Sequence, residues 1–243
     1  MRSVKDHYDE LLGPVYSWII GDFDNAYANN VALFEKMSVS PNSNAAAVDL
    51  GCGPGCQAIP LAERGFSVTA IDFCDSLLLE LQERASGLEI RTVCDDMLNV
   101  EQHISEVELA VCMGDTLVHL PDLDAVDDLI VKVGRILSPG GRFIATLRDY
   151  AAPPPTGADR FIPLRSSDER IFTCFLDYQG DVIDVHDILQ VRRDGSWDLR
   201  ISNYQKLALD YRRVAERLRD AGLRVSEPSR DGAMILLEAL KPA

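Results

Sequence analysis

The stretch that most constrains the fold is residues 46–55, Ala-Ala-Val-Asp-Leu-Gly-Cys-Gly-Pro-Gly. An apolar run containing the acid Asp49 is followed by glycines at alternate positions, Gly51, Gly53 and Gly55. The pattern predicts a buried strand entering a tight turn, because glycine adopts backbone angles closed to other residues and lets a ligand lie on the main chain. A helical pattern over 56–64 places a helix N-terminus after the turn, where free amides favour an anionic or electron-rich group.

The glycine spacing distinguishes two families. A dinucleotide fingerprint, Gly-x-Gly-x-x-Gly, needs its third glycine at position 56, which is Cys56. The stretch instead resembles motif I of the class I S-adenosylmethionine (SAM)-dependent methyltransferases, in which an acid precedes Gly-x-Gly-x-Gly. The resemblance implies that SAM is the cofactor and S-adenosylhomocysteine the product. It also implies that the cofactor is bound by Asp49, Gly51, Cys52, Gly53 and Gly55.

The charge balance narrows the class of partner. Among 243 residues, 24 are Lys or Arg and 39 are Asp or Glu, which gives a net charge of −15. Phosphate backbones are bound by clustered basic residues, so we expect small molecules rather than nucleic acid as partners. No apolar run approaches the roughly 18 residues that a membrane span needs, and residues 1–10 lack a signal pattern. We therefore expect a cytoplasmic protein without membrane contact.

The order of elements predicts an α/β fold. Strands are expected at 45–50, 67–72, 88–93, 108–113 and 142–147, with a helix at 122–137 that begins after the N-cap Asp122. A helix at 211–221 and strands at 223–227 and 234–240 follow. This alternation matches a Rossmann-like seven-stranded class I methyltransferase sheet.

Two further segments surround this predicted core of 41–150 and 209–243. Residues 1–40 are expected to form an N-terminal helical cap, broken near 13–14 and 21–22. Residues 151–208 are expected to form an antiparallel β insertion, with a loop over 151–167 and a three-stranded meander at 169–178, 181–192 and 197–208. The resemblance implies that this insertion is a substrate lid or a subunit contact, so a homodimer is one possibility.

Candidate binding residues follow the second and third strands. Asp72 ends a strand about 20 residues after the glycine turn, where a carboxylate accepts both hydroxyls of a ribose in SAM or NAD alike. Phe73 is expected to flank the adenine. The resemblance assigns the adenine amino group to Asp96, with Asp95 as the alternative, and the ring face to Met97.

Candidate catalytic residues follow the fourth and fifth strands. By the resemblance, Met113 and Gly114 contact the methionine part of SAM, and Asp115 faces its ammonium or a substrate amine. Arg148 is expected to hold a substrate carboxylate and Tyr150 to line the pocket, since glycine N-methyltransferase-like enzymes carry Arg-x-Tyr there.

Three residues are candidates for a general base, in descending order Asp115, His119 and Tyr16. Tyr16 and Trp18, with Tyr8, are also expected to wall the cofactor and substrate pocket.

These features predict a methyltransferase that acts on a nitrogen or oxygen of a small molecule. A nicotinamide-dependent oxidoreductase and a non-catalytic SAM-binding protein remain alternatives. The six cysteines lack the spacing of a metal site and are expected to be reduced, buried thiols. The alternative is that they form a thiol-rich pocket that binds a soft substrate such as trivalent arsenic. No metal site is predicted.

Overall fold

The computed structural model describes residues 3–243. Its helices are α1 (Val4–His7), α2 (Tyr16–Ile19), α3 (Phe23–Lys36), α4 (Ala58–Glu63), α5 (Asp75–Arg84), α6 (Val100–His103), α7 (Leu123–Ile136) and α8 (Tyr211–Asp220). Its strands are β1 (Ala46–Leu50), β2 (Ser67–Asp72), β3 (Ile90–Cys94), β4 (Val107–Cys112), β5 (Leu137–Arg148), β6 (Phe161–Ser166), β7 (Arg170–Gln179), β8 (Val182–Arg193), β9 (Ser196–Leu207), β10 (Arg224–Val225), β11 (Ser229–Asp231) and β12 (Met234–Leu240).

The larger sheet has the order β10-β12-β5-β4-β1-β2-β3, with β11 paired to β12. Strands β1 to β5 are parallel, and β12 is antiparallel to β5. The predicted α/β, Rossmann-like fold is confirmed, with the short β11 as an additional strand. Because the parallel strands end at one edge, the residues that follow β1, β2, β4 and β5 meet there.

The sheet is held by apolar side chains on both faces. β4 is buried along its whole length, as a central parallel strand must be when helices cover both faces. Helix α7 packs one face with Val126, Ile130 and Val133. Its N-cap is Asp122, as predicted, because the carboxylate accepts a hydrogen bond from the amide of Ala125 at 2.8 Å.

A second sheet has the order β6-β7-β8-β9. The prediction of a three-stranded meander is therefore wrong, because the sheet has a fourth strand. This strand, β6, lies in the segment 151–167 that was expected to be a loop. Pro163 weakens the strand signal, but β6 is an edge strand, where a missing backbone N–H breaks no ladder. The inner face of this sheet packs Phe172 and Leu189 against Leu11 and Leu12 of the N-terminal segment.

The N-terminal segment is helical in short pieces. A π-turn over Tyr8–Leu12 and a 3-10 turn over Gly13–Val15 separate α1 from α2, and Asp22 (φ 78°) precedes α3. These breaks lie where Pro14 and Gly21 predicted them. No helix in residues 3–243 is long and apolar enough to cross a membrane.

Candidate active site

The glycine turn is tied to the end of β2 by backbone hydrogen bonds. Gly51 and Cys52 donate to the carbonyl of Ile71 at 2.8 and 3.1 Å. Asp72 accepts from the amides of Gly53 and Cys74, each at 2.8 Å. Burial raises the pKa of Asp72, and these amides oppose the rise. The carboxylate is thus fixed beside the turn and keeps lone pairs for further donors.

Two of the glycines leave open space where a side chain would stand. A Cβ at Gly114 (φ 79°) would meet no atom within 4 Å, and one at Gly53 would meet only the Tyr16 ring, at 3.7 Å. Gly51 differs, because its Cβ would lie 2.3 Å from Cγ2 of Thr116. The turn after β1 therefore packs against the turn after β4 and leaves bare backbone facing a cavity.

Two cavities meet over this backbone, and both are lined by Tyr16, Gly51, Gly53, Gly114 and Thr116. The inner cavity extends towards β2 and β3 and is covered by the N-terminal segment; it is also lined by Tyr8, Ile71, Asp72, Phe73, Leu77, Asp95, Met97 and His119. The groove extends the other way, towards α3 and the end of β5; it is also lined by Cys52, Cys56, Gln57, Met113, Arg148 and Leu164. Together they form one elongated site with Tyr16 above its middle.

Asp49 lies beneath the turn and is 1% exposed. Neither carboxylate oxygen has a hydrogen-bond partner of normal geometry. Burial raises its pKa to about 8, the charge of Asp72 adds to the rise, and the nearby amide of Ala58 opposes it. An uncompensated buried carboxyl beside a cavity is suited to a cationic ligand group, which restores its ionised form.

Asp115 anchors a buried polar network. One oxygen accepts from the amide of Arg148 at 2.9 Å, and the other from the hydroxyl of Tyr150 at 2.5 Å and the ammonium of Lys206 at 3.4 Å. Lys206 also donates to the Tyr150 oxygen at 2.7 Å. The carboxylate lines neither cavity, so this first candidate base has its oxygens engaged within the protein.

His119 lies at the wall of the inner cavity, with its ring 5.8 Å from that of Tyr8 and 5.6 Å from that of Tyr204. Its Nδ1 is buried without a hydrogen-bond partner. Burial, and then the charge of Lys206, lower its pKa to about 4, so the imidazole is neutral at neutral pH. It can accept a hydrogen bond, but it holds a proton only weakly.

A buried histidine fixes the cap over the inner cavity. His7 is 0% exposed and lies 2.8 Å from both Ser202 Oγ and Asp187 Oδ2. Its ring stacks on Tyr204 with centroids 4.4 Å apart. Because Asp187 is on β8 and the other two partners are on β9, His7 attaches α1 to the second sheet, while Lys5 of the same helix donates to the carbonyl of Phe73, after β2, at 3.0 Å.

A third cavity separates the two sheets. It is lined by polar groups from Arg148, Tyr150, Tyr178, Tyr204 and Lys206, with apolar walls that include Leu164 and Leu176. It shares Arg148 and Leu164 with the groove. We call this cavity, which adjoins the groove, the insertion pocket.

Several predicted residues lie at these cavities. Cys52, Met113 and Gly114 line the groove, and Phe73 and Met97 line the inner cavity.

The two candidate aspartates after β3 are separated by the structure. Asp95 lines the inner cavity, whereas Asp96 lines only a neighbouring outer cavity and caps a short helical turn by accepting from the amide of Leu98. Asp95 is itself engaged by His103 at 2.7 Å and by Asn99 at 2.8 Å. The geometry thus favours the alternative, Asp95, over Asp96.

Three residues predicted to bind the cofactor, Trp18, Gly55 and Asp49, line neither cavity. Trp18 packs beneath Arg165 and Arg170 of the second sheet, because it is on the side of α2 that faces away from the glycine turn. A Cβ at Gly55 would lie 2.3 Å from Leu81, so this glycine allows close packing with α5. Asp49 lies at the end of β1, beneath the glycine turn.

Thr116 and Lys206 are among the residues of the site that were not predicted from the sequence. Thr116 lies at the junction of the cavities, and Lys206 reaches Asp115 from a strand 91 residues away. A lysine in an amphipathic β-strand gives no local signal that it turns inward.

The cysteines only partly match the expected buried thiols. Cys52, Cys56, Cys74 and Cys112 are buried, but Cys94 is exposed and Cys174 is half-buried. Within residues 3–243, no group of three or more His, Cys, Asp or Glu side chains is placed to hold a metal ion.

Comparison with known proteins agrees with this geometry. Residues 47–141 match the family model described as a methyltransferase domain. The putative methyltransferase YqeM of Bacillus subtilis is 33% identical over 95 residues, which are 39% of this chain and 38% of that protein. Glycine N-methyltransferase of Rattus norvegicus is 26% identical over 117 residues, or 42% of this chain and 40% of that protein. These matches span well under half of the relatives' length.

Solved structures match over almost the whole chain. The CcbJ methyltransferase of Streptomyces caelestis has a TM-score of 0.77 at 18% identity, covering 99% of this chain and 97% of that one. The sugar N-methyltransferase KedS8 of Streptoalloteichus has a TM-score of 0.75 at 12% identity, covering 97% and 94%. The likeness is one of fold. Residues 47–141 thus match a methyltransferase domain, and the sheet order of the chain is that of the class I SAM-dependent methyltransferase fold.

Proposed function

We propose that this chain transfers a methyl group from SAM to a small-molecule acceptor, with an amine nitrogen favoured over a hydroxyl. The observation that carries the proposal is the elongated site, in which bare backbone at Gly53 and Gly114 joins the inner cavity to the groove. The residues along such a site suit a ligand with a nucleoside at one end and a charged amino-acid group at the other.

The residues present suit the two ends of SAM. Asp72 would accept the ribose hydroxyls, and Phe73 and Met97 would flank the adenine. The groove end would receive the methionyl group near Gly51, Cys52 and Met113, above the uncompensated carboxyl of Asp49. When bound, the cofactor supplies a methyl group on a sulfonium, and its transfer leaves S-adenosylhomocysteine.

The state of the three candidate bases supports an amine acceptor. Asp115 is engaged by Tyr150 and Lys206, His119 is neutral with a pKa of about 4, and burial raises the pKa of Tyr16 far above neutrality. An amine that enters uncharged needs no base before its lone pair attacks, whereas a hydroxyl acceptor gains more from one. The chain would then act by orienting the acceptor and excluding water. The name of KedS8 as a sugar N-methyltransferase agrees with this choice.

The insertion pocket is the proposed acceptor site. Arg148 is half exposed there, and its nearest acid, Asp115, is 3.7 Å away. Its guanidinium would hold a carboxylate or hydroxyl group of the acceptor, while Tyr178 and Tyr204 line the wall. The pocket shares Arg148 and Leu164 with the groove, and Gly114 lines that groove, so an acceptor held by Arg148 would reach towards Gly114.

Thermal melting with S-adenosylhomocysteine, SAM and NADH in parallel tests the cofactor. A ligand at about 100 times its dissociation constant adds roughly 2.7 kcal/mol, or about 5–10 °C for a chain of this size. A shift with the first two ligands, lost in Asp72→Ala, is expected. A shift with NADH alone would restore the oxidoreductase alternative.

Release of S-adenosylhomocysteine with a panel of amines, amino sugars and phenols tests the activity. We expect methylated amines by mass spectrometry, and Arg148→Met should reduce turnover while leaving cofactor binding intact. Arg135→Met, an exposed arginine of α7, is the matched control. Binding of SAM without turnover of any acceptor in the panel would favour the non-catalytic alternative.

A further inference from the structure

The outer half of β9 presents an apolar stripe to solvent. Trp197, Leu199 and Ile201 are 45%, 55% and 60% exposed, although large apolar side chains are usually buried. They alternate along the strand, so they share the outer face of the second sheet, where Ile201 lies opposite Ile188. The inner half of β9 is covered, since Ser202 and Tyr204 contact His7 of α1.

The same half-strand is an open sheet edge. β9 ends the sheet order, and β8 pairs with it on one side only. The β8–β9 turn is type I′, with φ of 49° at Asp194 and 81° at Gly195, so the flanking pair Arg193–Ser196 exchanges both ladder hydrogen bonds. Counting along β9, the N–H and C=O groups of Trp197, Leu199 and Ile201 point away from β8. Unpaired groups of this kind are a template for another strand.

The charges along this edge are complementary to themselves. Between the apolar residues lie Asp198 and Arg200, both on the opposite face and 3.3 Å apart. The stretch from Trp197 to Ile201 is therefore apolar, acidic, apolar, basic, apolar in order.

We propose that β9 pairs with β9 of a second copy of this chain, antiparallel about a two-fold axis at Leu199, to form a homodimer with a continuous eight-stranded sheet. Leu199 then faces the partner's Leu199, and Trp197 faces the partner's Ile201. Asp198 faces the partner's Arg200, and Arg200 faces the partner's Asp198, in the closer non-hydrogen-bonded pairs. Such an interface is isologous and closes at two copies.

The charges also select this register. Sliding the partner by two residues, the smallest step that keeps the outward groups paired, places Arg200 opposite the partner's Arg200 or Asp198 opposite the partner's Asp198. Like charges directly opposite are destabilising, so both neighbouring registers are disfavoured.

Charge reversal tests the pairing by sedimentation velocity. Asp198→Arg puts an arginine at both position 198 and position 200 of each chain, and Arg200→Asp puts an aspartate at both positions. Each variant alone should raise the dimer dissociation constant by at least about tenfold, because two symmetry-related ion pairs become repulsive. Asp198→Arg makes the net charge less negative, so its effect cannot come from greater long-range repulsion.

Mixing the two single variants distinguishes this edge from any other interface. Their strands are complementary to each other, so the mixture should form a heterodimer of near wild-type affinity, and the double variant D198R/R200D should dimerise with itself. Glu35→Arg, the same charge change on exposed α3, should leave the dimer intact. A wild-type chain that stays monomeric up to high micromolar concentration, or single variants that dimerise normally, would overturn the proposal. Circular dichroism of each variant excludes misfolding.

Discussion

Asp49→Asn should stabilise this protein at neutral and alkaline pH. Asp49 is 1% exposed, and its oxygens have no hydrogen-bond partner of normal geometry. Its pKa is raised to about 8, mainly by burial, whereas an aspartate in the unfolded chain titrates near 3.9. Asparagine keeps the shape of the side chain and removes the ionisation.

The sign and size follow from proton linkage. Between about pH 4 and pH 8, Asp49 is protonated in the folded chain and ionised in the unfolded chain. The free energy of unfolding therefore falls by about 1.4 kcal/mol for each unit by which the pH rises. At pH 7 the accumulated cost is about 4 kcal/mol. Burying an unpaired amide costs about 1–3 kcal/mol, so the net gain of the variant at pH 7 is about 1–3 kcal/mol. Below about pH 4 only the cost of the amide remains, so the variant should be less stable than the wild type by about 1–3 kcal/mol.

Urea titrations at pH values from 4 to 9, without cofactor, measure this difference. The variant's free energy of unfolding minus that of the wild type should rise with pH and level off above pH 8. Asp168→Asn, which changes an exposed aspartate in the loop between β6 and β7, should give a difference near zero at every pH. A difference for Asp49→Asn that does not change with pH would mean that the carboxyl titrates normally and would refute the reasoning.

Three further perturbations test the site. The pKa of His119 is lowered from 6.5 to about 4, so the unfolded chain binds a proton at this residue before the folded chain does as pH falls. The free energy of unfolding should therefore fall by roughly 3 kcal/mol between pH 6.5 and pH 4. His119→Gln should remove this dependence of stability on pH in urea titrations. Lys206→Met leaves the buried Asp115 without its ammonium and should cost about 1–3 kcal/mol in thermal unfolding, unlike the same change at an exposed lysine. Gly51→Ala places a Cβ 2.3 Å from Thr116 Cγ2 at a φ of 70° and should cost about 1–3 kcal/mol. Adding Thr116→Ser to that variant should recover the part due to the clash, and no recovery would assign the cost to the backbone alone.

The sequence predicted the features that depend on local pattern. The bounds of β2 agree with the predicted 67–72, and α7 begins after its predicted cap, because apolar periodicity and capping act over a few residues. α4 begins at Ala58 rather than Cys56, since Pro60 favours a late start. β6 was missed because Pro163 lowers the strand signal although an edge position tolerates it.

The site was predictable where one strand end carries it and not where two distant segments meet. The glycine turn and Asp72 were identified from spacing, and the structure joins them through the amide of Gly53. The engagement of Asp115 by Lys206 depends on how the second sheet packs on the first, which no local pattern encodes. The same holds for Trp18, whose partners Arg165 and Arg170 lie far along the chain.

The attachment of α1 to the second sheet has a kinetic consequence. His7 lies in contact with Ser202, Asp187 and Tyr204, and the residue after it, Tyr8, covers the inner cavity. On the side that Tyr8 covers, a molecule in this cavity reaches solvent only when these contacts open, and two buried hydrogen bonds must break for that to happen. We therefore expect the spent nucleoside to depart slowly, so that turnover is governed by opening of the N-terminal segment rather than by bond formation.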